Sequence, residues 1–398
     1  MVGRGDIDDV AHMTRALALA ERGRGRTSPN PMVGAVVVDD EGVVVGRGAH
    51  ERAGGPHAEI VALADAGARA SGATLYCTLE PCSHTGRTGP CAPRVVEAGI
   101  RRAVIAIEDP NPRVSGRGLE HLRRQGVDAL VGVMADEAWR LNRAFFTYIT
   151  DGRPFVTLKA ALSLDGMVAA RRGARTALTG TEVNALVHQE RAEVDAIAVG
   201  SETLLVDDPL LTARGVYRER PLTRVVFDRR LRTAPTARLF STLDAGPIII
   251  VGGVEAAARE GSLRSALEAA GAQLELVEEA EAPGVSGSTA FLEEALARLA
   301  RREITSLIVE GGPVLHEAFW TAGLVDRIEL FVSPHGVGID GVRWAALPDG
   351  SLASLAELTA RPVGDDVRIE GFVSSRGSKG SRGSEGSRGS QVHVHGSH

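Results

Sequence analysis

The amino-acid sequence predicts an α/β protein with two domains in one chain of 398 residues. Segments with strand and helix character alternate in two successive series, and such alternation is typical of layered α/β domains. The chain also exceeds the ~250 to 300 residues at which a single hydrophobic core stops growing. The turn-rich segment TDGRP separates the two series. We therefore expect a first domain over residues 1–150 and a second domain over residues 151–373.

The first series begins with a helix over residues 6–22, in which apolar residues recur every three or four positions. The residues between Met32 and Gly48 predict two strands around a turn. The remaining elements of this series are a helix from His57, a strand over 73–79, a helix over 91–98, a strand over 102–109 and a helical stretch over 135–149.

The second series contains six apolar strand candidates, which are FVTLKAALS, DAIAVG, RVVFD, IIIVGG, SLIVEGG and RIELFVSP. Helical periodicity occurs near 181–192, 255–270, 290–301 and 314–322. The last segment, 374–398, repeats Gly-Ser triplets and has almost no apolar residues, so burial cannot offset the entropy of ordering it. We predict a disordered low-complexity tail there.

The composition excludes several functional classes. The formal net charge is -6, whereas a nucleic-acid surface needs a cationic excess. The first residues carry charge where a signal peptide needs an apolar core, and no stretch approaches the ~18 apolar residues of a membrane span. Three cysteines cannot form a disulfide framework and fit a reducing compartment. We expect a cytoplasmic protein that acts on small molecules, with no nucleic-acid or membrane partner.

Three possible metal ligands and one further carboxylate occur in a short part of the chain. They are His57 and Glu59 in HAE, Cys82 in TLEPC, and Cys91. Zinc binds nitrogen and sulfur tetrahedrally, and a catalytic site uses three protein ligands so that water takes the fourth position. The histidine and the two cysteines supply such a set. Glu59 is suited to carry a proton from water to a leaving amine.

Each of these residue types has a simpler interpretation when it occurs alone. A single histidine or cysteine in an α/β domain more often packs in the core, and we expect Cys77, on an alternating strand, to do so. Cys82 follows Pro81 where a strand is predicted to give way to a helix, and a helix N-terminus favours the thiolate that zinc requires. His84, beside the metal loop, is expected to have a loop or substrate-side role. Only the combination favours a zinc site.

Four segments of the first domain resemble the deaminase half of the bifunctional deaminase-reductases of riboflavin biosynthesis. These segments are TSPNPMVGAVVV (27–38), GGPHAE (54–59), TLEPCSHTGRTGPC (78–91) and EDPNPRVSGRGL (108–119). Zinc deaminases commonly place two residues between their cysteines, whereas eight lie between Cys82 and Cys91, as in this family. The resemblance implies a cytidine-deaminase-like fold, zinc on the three ligands named above, and Glu59 as proton donor. It also places Asn30 and Asn111 near the substrate, although both are ordinary turn residues.

In the second domain a strand, two glycines and a helix meet at VEGGPVL (309–315). Pro313 would open the helix, whose first N–H groups can hold an anion such as a pyrophosphate. An isolated junction of this kind is more often a simple tight turn. Glu310 is more informative, because a carboxylate that ends an apolar strand is an unusual core residue.

The second domain resembles the dihydrofolate-reductase-like half of the same family in SLDG (163–166), DAIAVGSETLLVDDPLLTAR (195–214) and VEGGPVL. The resemblance implies NADPH as cofactor and reduction of a ribosyl group to ribityl. The residues that it places against NADPH are Ala161, Ala177, Thr203, Asp207, Gly312, Pro313, Val314, Leu315, His316, Glu317 and Ala318. The residues that it places against the substrate are Arg175, Arg191, Leu211, Arg214 and Glu310.

The arginines of this set have a physical rationale. Arg191 and Arg214 suit a ribose phosphate because a guanidinium group matches phosphate oxygens, although arginines on a helix or loop commonly face solvent. The family usually has Ser-x-Trp-Ile-Thr where this chain has RTALT (175–179). Ala177 therefore lacks a stacking surface worth ~0.5 to 1.5 kcal/mol beyond its burial, so weaker cofactor binding is expected. Arg175 adds a possible phosphate contact.

The resemblance implies a bifunctional enzyme of riboflavin biosynthesis. Its substrate would be 2,5-diamino-6-ribosylamino-4(3H)-pyrimidinone 5′-phosphate, deaminated first and then reduced with NADPH. The alternative is a monofunctional zinc nucleobase or nucleoside deaminase with a degenerate reductase-like domain for binding or oligomerisation. Ala177 favours the alternative, whereas Asp207, Arg214 and Glu310 argue against it. Related enzymes suggest a homo-oligomer.

Overall fold

The structure, a computed structural model, describes residues 4–83, 89–111, 114–278, 287–344, 347 and 351–373. The predicted tail over 374–398 and His84 lie outside the described residues. One large sheet is built from strands before Asp151 and a second large sheet from strands after it. Within the described residues, no helix has both the length and the apolar run needed to cross a membrane.

The first part of the chain forms a mixed five-stranded sheet with helices packed on it. Its elements are α1 (Arg4–Ala20), β1 (Gly34–Val38), β2 (Val44–Ala49), α2 (Ala58–Ala66), β3 (Thr74–Cys77), α3 (Cys91–Glu97), β4 (Arg102–Ile105), α4 (Arg117–Arg124), β5 (Asp128–Val131), α5 (Ala135–Leu141) and α6 (Arg143–Asp151). The strand order is β2-β1-β3-β4-β5. The strand β1 is antiparallel to β2 and β3, whereas β3, β4 and β5 are parallel.

The interior strand β1 is buried along its whole length, since its two faces belong to different cores. Val36 packs with Met13 of α1, and Val37 packs in the cluster that includes Ala58 of α2. The helix α2 approaches the sheet closely, because a Cβ at Gly48 would lie only 2.0 Å from the Ala58 carbonyl oxygen. This contact holds the first turn of α2, where the predicted metal site begins, against β2.

The second part of the chain forms a nine-stranded sheet. Its elements are β6 (Phe155–Leu162), β7 (Met167–Ala169), α7 (Thr181–Glu193), β8 (Ala196–Gly200), α8 (Ser201–Asp207), β9 (Thr223–Phe227), β10 (Ile248–Gly253), α9 (Val254–Arg259), α10 (Gly261–Ala269), β11 (Ala272–Val277), α11 (Gly287–Arg301), β12 (Ser306–Val309), α12 (Pro313–Thr321), β13 (Arg327–Val332), β14 (Val342–Arg343), β15 (Ala356–Val363) and β16 (Asp366–Phe372). The strand order is β11-β10-β9-β8-β12-β6-β13-β16-β15, and β14 pairs separately with β7.

The strands from β11 to β13 in this order are parallel, whereas β16 and β15 add an antiparallel edge. In open parallel sheets, ligands bind outside the carboxyl ends of the strands. The carboxyl ends of β9, β8, β12 and β6 are neighbours, so residues that are distant in sequence meet at this edge.

All six strand candidates of the second series form strands, which are β6, β8, β9, β10, β12 and β13. Elements not predicted include α4, β5, β11 and the β15–β16 hairpin. The helices expected over 135–149 and 255–270 each divide in two. The first divides at Asn142. Its side-chain Oδ1 accepts the Met32 backbone N–H at 2.8 Å, and its Nδ2 donates to the Met32 carbonyl oxygen at 2.9 Å. The limits 1–150 and 151–373 stay a prediction, with α6 ending at Asp151.

Candidate active sites

The three predicted zinc ligands lie together in the first domain. His57 is the N-cap residue of α2, Cys91 is the first residue of α3, and Cys82 lies in the segment between β3 and α3. Their ligand atoms all lie within 4.8 Å of one another. His57 Nδ1 is 3.2 Å from Cys91 Sγ and 3.6 Å from Cys82 Sγ. One nitrogen and two sulfur donors fit a three-ligand zinc site with an open fourth position.

Local electrostatics favour a thiolate at Cys82. A hydrogen bond with Cys91 lowers the pKa of Cys82 to about 4, against the opposing effect of burial. The expected helix start at Cys82 is wrong, because α3 begins only at Cys91. The helix still contributes, since the backbone N–H of Cys91, in the first turn of α3, donates to Cys82 Sγ at 3.4 Å.

Glu59 lies in the first turn of α2 with only 3% of its surface exposed. Burial raises the pKa of its carboxyl group, and its hydrogen bond with Cys91 opposes this effect. A buried carboxyl with a raised pKa can accept and return a proton near neutral pH. The structure therefore brings Glu59 to the predicted ligands.

Cys77 is separate from this cluster. It is fully buried in the core of the first domain, and burial raises the pKa of its thiol well above the usual range. The prediction that Cys77 is a core residue is confirmed.

His50 is a neighbour of the metal site that the sequence did not reveal. Its Nδ1–H donates to the Pro56 carbonyl oxygen at 3.0 Å, so its Nε2 accepts the bond from Asn30 Nδ2 at 3.1 Å. The rings of His50 and His57 meet edge-on with centroids 5.5 Å apart. Burial lowers the pKa of His50 and favours its neutral form. His50 thereby connects Asn30 with the segment that precedes His57.

Glu80 is a second residue that the sequence did not single out. Its buried carboxylate accepts four backbone N–H bonds of 2.9 to 3.3 Å. The donors belong to Asp109, Gly116, Gly118 and Leu119, around the N-terminus of α4. Glu80 therefore ties the segment that carries Cys82 to the segment that carries Asn111. An acidic residue directly after an apolar strand was the available indication.

In the second domain a cleft of about 660 Å³ opens at the carboxyl ends of β6, β8, β9 and β12. Most of the predicted cofactor residues line it, namely Ala161, Thr203, Asp207, Gly312, Pro313, Val314, Leu315, His316 and Ala318. The other two, Ala177 and Glu317, are exposed and are not part of its described lining.

The predicted glycine turn forms one wall of the cleft. The Gly200 N–H donates to the Gly311 carbonyl oxygen at 3.1 Å, and a Cβ at Gly312 would meet Thr203 Oγ1 at 3.1 Å. Pro313 opens α12 as predicted. The N-terminus of a nine-residue helix therefore lies at the cleft wall, where its dipole favours an anion.

His316 is held in one orientation by two partners. Its Nε2–H donates to the Val309 carbonyl oxygen and its Nδ1 accepts from Trp344 Nε1–H, each at 3.0 Å. Burial lowers the pKa of His316 to about 4, so the ring is neutral near physiological pH. This neutral ring in turn fixes Trp344, which lines the cleft.

Of the predicted substrate residues, Glu310 lies in the described lining of the cleft. Arg191 binds both carboxylate oxygens of Glu310, with Nε to Oε1 at 2.6 Å. Burial and the charges of Arg191 and Arg175 lower the pKa of Arg214, so each of these two guanidinium groups lies within electrostatic reach of Arg214. Leu211 is buried with a φ of 54°. The carboxylate of Glu310 balances the charge of Arg191, and Arg214 and Arg175 add positive charge that suits a phosphate.

Further charged residues line the cleft without having been predicted. Lys159 interrupts an otherwise apolar strand, β6, and its charge helps to lower the pKa of Glu310. Arg229 and Arg232 follow β9, and Arg232 donates to Ser201 Oγ at 2.6 Å. The lysine could have been noticed in the sequence, because charge is rare in buried parallel strands.

Comparisons with known proteins cover both domains. The family model described as RibD C-terminal domain matches residues 154–368, and the model described as cytidine and deoxycytidylate deaminase zinc-binding region matches residues 7–107. The riboflavin biosynthesis protein RibD of Aquifex aeolicus is 42% identical over 330 residues, which are 83% of this chain and 88% of that protein. RibD of Escherichia coli is 38% identical over 379 residues, 91% of this chain and 98% of that protein.

Solved structures agree over nearly the whole chain. Acinetobacter baumannii RibD has a TM-score of 0.79 at 31% identity, covering 93% of this chain and 100% of that one. A Thermotoga maritima protein, described as a diaminohydroxyphosphoribosylaminopyrimidine deaminase and 5-amino-6-(5-phosphoribosylamino)uracil reductase, has a TM-score of 0.77 at 33% identity with the same coverage.

The fold, the donor set and the matches define a cytidine-deaminase-like zinc deaminase joined to a dihydrofolate-reductase-like reductase of the NADPH-dependent type. The chain belongs to the RibD family, the bifunctional deaminase-reductases of riboflavin biosynthesis. The predicted fold class, the two activities and the two cofactors are thereby confirmed.

Proposed function

We propose that the first domain deaminates 2,5-diamino-6-ribosylamino-4(3H)-pyrimidinone 5′-phosphate and that the second reduces the ribosyl group of the product to ribityl. One observation carries the proposal: the chain contains both kinds of site. One nitrogen and two sulfur donors lie together beside the buried Glu59, and a cleft opens along the edge of the second, mainly parallel sheet. The description of the Thermotoga maritima relative names the same pair of activities on phosphoribosylaminopyrimidines.

In the deaminase, His57, Cys82 and Cys91 would hold zinc, because their donor atoms are gathered without any further rearrangement of the chain. Zinc, when bound, supplies the activation of water that hydrolytic deamination needs. Glu59 takes a proton from the attacking water and delivers it to the departing amine, so that ammonia leaves and a carbonyl replaces the amino group. Asn30 contacts the substrate from the loop that His50 supports.

In the reductase, the order of the strands gives NADPH a direction. Three inter-strand spacings, about 14 Å, separate β9 from β6 across the cleft. Arg229 and Arg232 lie beyond β9 and would hold the 2′-phosphate at the adenosine end of NADPH. The N-terminus of α12 at Pro313 would hold the pyrophosphate, and Ala161 and Glu310 would lie on the nicotinamide side. NADPH, when bound, supplies the hydride for reduction.

Several other side chains complete the cofactor wall. Thr203 and Asp207 of α8 face the same cleft as the residues from Gly312 to Ala318. Trp344 provides an aromatic surface there, whereas Ala177 provides none. Neutral His316 holds the indole of Trp344 without adding charge beside the cofactor.

The ribose phosphate of the substrate binds at the arginine cluster. Arg191 orients Glu310 through its two-pronged ion pair, while Arg175 and Arg214 provide the phosphate contacts. Leu211 is buried in a hydrophobic cluster of the second domain. Fixed phosphate contacts hold the opened sugar close to the hydride donor, which is how a reductase lowers the entropic part of its barrier.

The same proposal includes a domain boundary at Asp151, a homo-oligomer and a cytoplasmic location. The boundary is supported by the end of α6 and by Gly152, whose φ is 67°. A reducing compartment keeps the ligand thiols in the form that zinc binds. The alternative of a monofunctional deaminase is disfavoured, because the reductase family model matches residues 154–368.

The decisive experiment supplies the zinc-loaded full-length protein with the diaminopyrimidine nucleotide and NADPH and follows ammonia release and NADPH oxidation together. We expect NADPH oxidation only after deamination, and immediate oxidation when the authentic deaminated product is supplied instead. If deamination proceeds but the authentic product causes no NADPH oxidation, the reductase half of the proposal is wrong. If ammonia is not released, the deaminase half is wrong.

A further inference from the structure

Asp195 is a buried carboxylate that has no part in either proposed site. Its side chain is 4% exposed and lies directly before β8. One oxygen accepts a bond from Arg220 at 2.6 Å, and the other accepts the backbone N–H and the hydroxyl of Thr305, each at 2.8 Å. A fourth donor comes from the first domain, the Ser28 hydroxyl at 2.6 Å. A buried carboxylate requires such complete pairing, because an unpaired charge is costly in the interior.

Asp195 and the cofactor cleft lie at opposite edges of the second sheet. Asp195 and Thr305 precede the adjacent parallel strands β8 and β12, so they mark the amino edge. The cleft includes Gly200 and Glu310 at the carboxyl edge. At about 3.3 Å per residue, the five-residue strand β8 separates the two edges by about 15 Å. Asp195 is therefore too far from the cleft to contact the reductase ligands.

On the other side, Ser28 begins a short path to the metal site. Two residues later, Asn30 donates its amide N–H to His50 Nε2 at 3.1 Å. The Nδ1–H of His50 is bound to the carbonyl of Pro56, the residue before His57, and the two histidine rings are in edge-on contact. The hydrogen bond of Ser28 with Asp195, beside a second contact with Thr305 Oγ1 at 3.1 Å, thus fixes the first residue of a path that ends at a proposed zinc ligand.

We propose that Asp195 is a positioning residue for the deaminase, acting from the second domain through Ser28 on the loop that carries Asn30. This inference rests on the proposed deaminase function and adds that the first active site is incomplete without the amino edge of the reductase sheet. A different domain contact, Arg26 with Glu219 at 2.5 Å, has side chains that are 39% and 30% exposed. Loss of this contact would weaken the association of the two domains without touching Asp195, so it provides a matched control.

The test uses full-length Ser28→Ala, Ser28→Thr and Glu219→Ala proteins. Ser28→Ala is expected to lower kcat/KM for deamination on the order of tenfold, mainly through KM, because a displaced loop presents Asn30 wrongly to the substrate. Zinc content and the equilibrium affinity for NADPH should match the wild type. Ser28→Thr keeps the hydroxyl and should restore deamination, and Glu219→Ala should leave deamination unchanged.

Two results would overturn the inference while leaving the proposed function in place. One is wild-type deamination kinetics in Ser28→Ala. The other is an equal loss in Ser28→Ala and Glu219→Ala together with equal loss of thermal stability, which would indicate docking alone. Absence of deamination in the wild-type protein would refute the proposed function itself and this inference with it.

Discussion

The two proposed active sites are built in opposite ways. The deaminase residues His57, Glu59, Cys82 and Cys91 occur within 35 residues of sequence and meet where two helices begin. The reductase cleft collects residues from the ends of four strands, from Lys159 in β6 to residues beyond β12. A metal site needs few atoms at short range, whereas a dinucleotide needs a long surface.

This difference predicts different sensitivity to single substitutions. In the metal site one atom performs one chemical step, so its loss should affect the rate by orders of magnitude. In the cleft many side chains each contribute a small part of the binding energy for the cofactor, so loss of one side chain should reduce cofactor affinity moderately.

Glu59→Gln should lower the deamination rate by about two to four orders of magnitude, because glutamine keeps the shape of glutamate but cannot carry the proton. Zinc content and reduction of supplied deaminated product should be unchanged. Steady-state kinetics of both half-reactions and metal analysis check this result. Glu97→Gln, an exposed acid on α3, is the control. Near wild-type deamination by Glu59→Gln would exclude Glu59 as the proton carrier.

The double substitution of Arg229 and Arg232 by alanine should weaken NADPH binding about 10- to 100-fold and leave NADH binding unchanged, because only NADPH carries the 2′-phosphate. Equilibrium fluorescence titration with each nucleotide measures this selectivity. Arg230→Ala is the matched control, since Arg230 is exposed between the two and is not part of the cleft lining. Equal weakening of both nucleotides would place the 2′-phosphate elsewhere.

The smallest effect concerns His316, whose pKa burial lowers to about 4. An unfolded histidine takes up a proton below about pH 6.5, whereas His316 in the folded protein remains neutral. Since the unfolded state binds more protons between about pH 6.5 and 4, the folded state loses stability as the pH falls through that window. The loss between pH 6.5 and 5 amounts to about 1 to 2 kcal/mol.

Thermal unfolding of wild type and His316→Gln at pH 7 and pH 5 measures this contribution. The variant should lose less stability than the wild type between pH 7 and pH 5. The zinc ligands and other titrating groups are the same in both proteins, so the difference between the two losses is the contribution of His316. Glutamine can still donate to Val309 and accept from Trp344. The same loss in both proteins would show that His316 does not titrate as the structure indicates.

The sequence determined what depends on residue type and short-range pattern. The gathering of His57, Cys82 and Cys91 could be predicted because few side chains bind zinc, and those that do occur close together in this sequence. The six strands of the second series were predictable because parallel strands buried on both faces are continuous apolar runs. The turn before Pro313 was predictable from its two glycines and the proline.

Contacts between residues that are distant in sequence could not be predicted, because they depend on how the sheets and helices pack. The edge strand β15 is exposed along nearly all of its length, so it has no hydrophobic pattern to detect. The contacts of Arg191 with Glu310, of Trp344 with His316 and of Ser28 with Asp195 join positions 28 to 167 residues apart. Each partner alone resembles an ordinary surface or core residue. A polar contact becomes energetically important when both partners are buried together, and the packing of the sheets determines which residues are buried together.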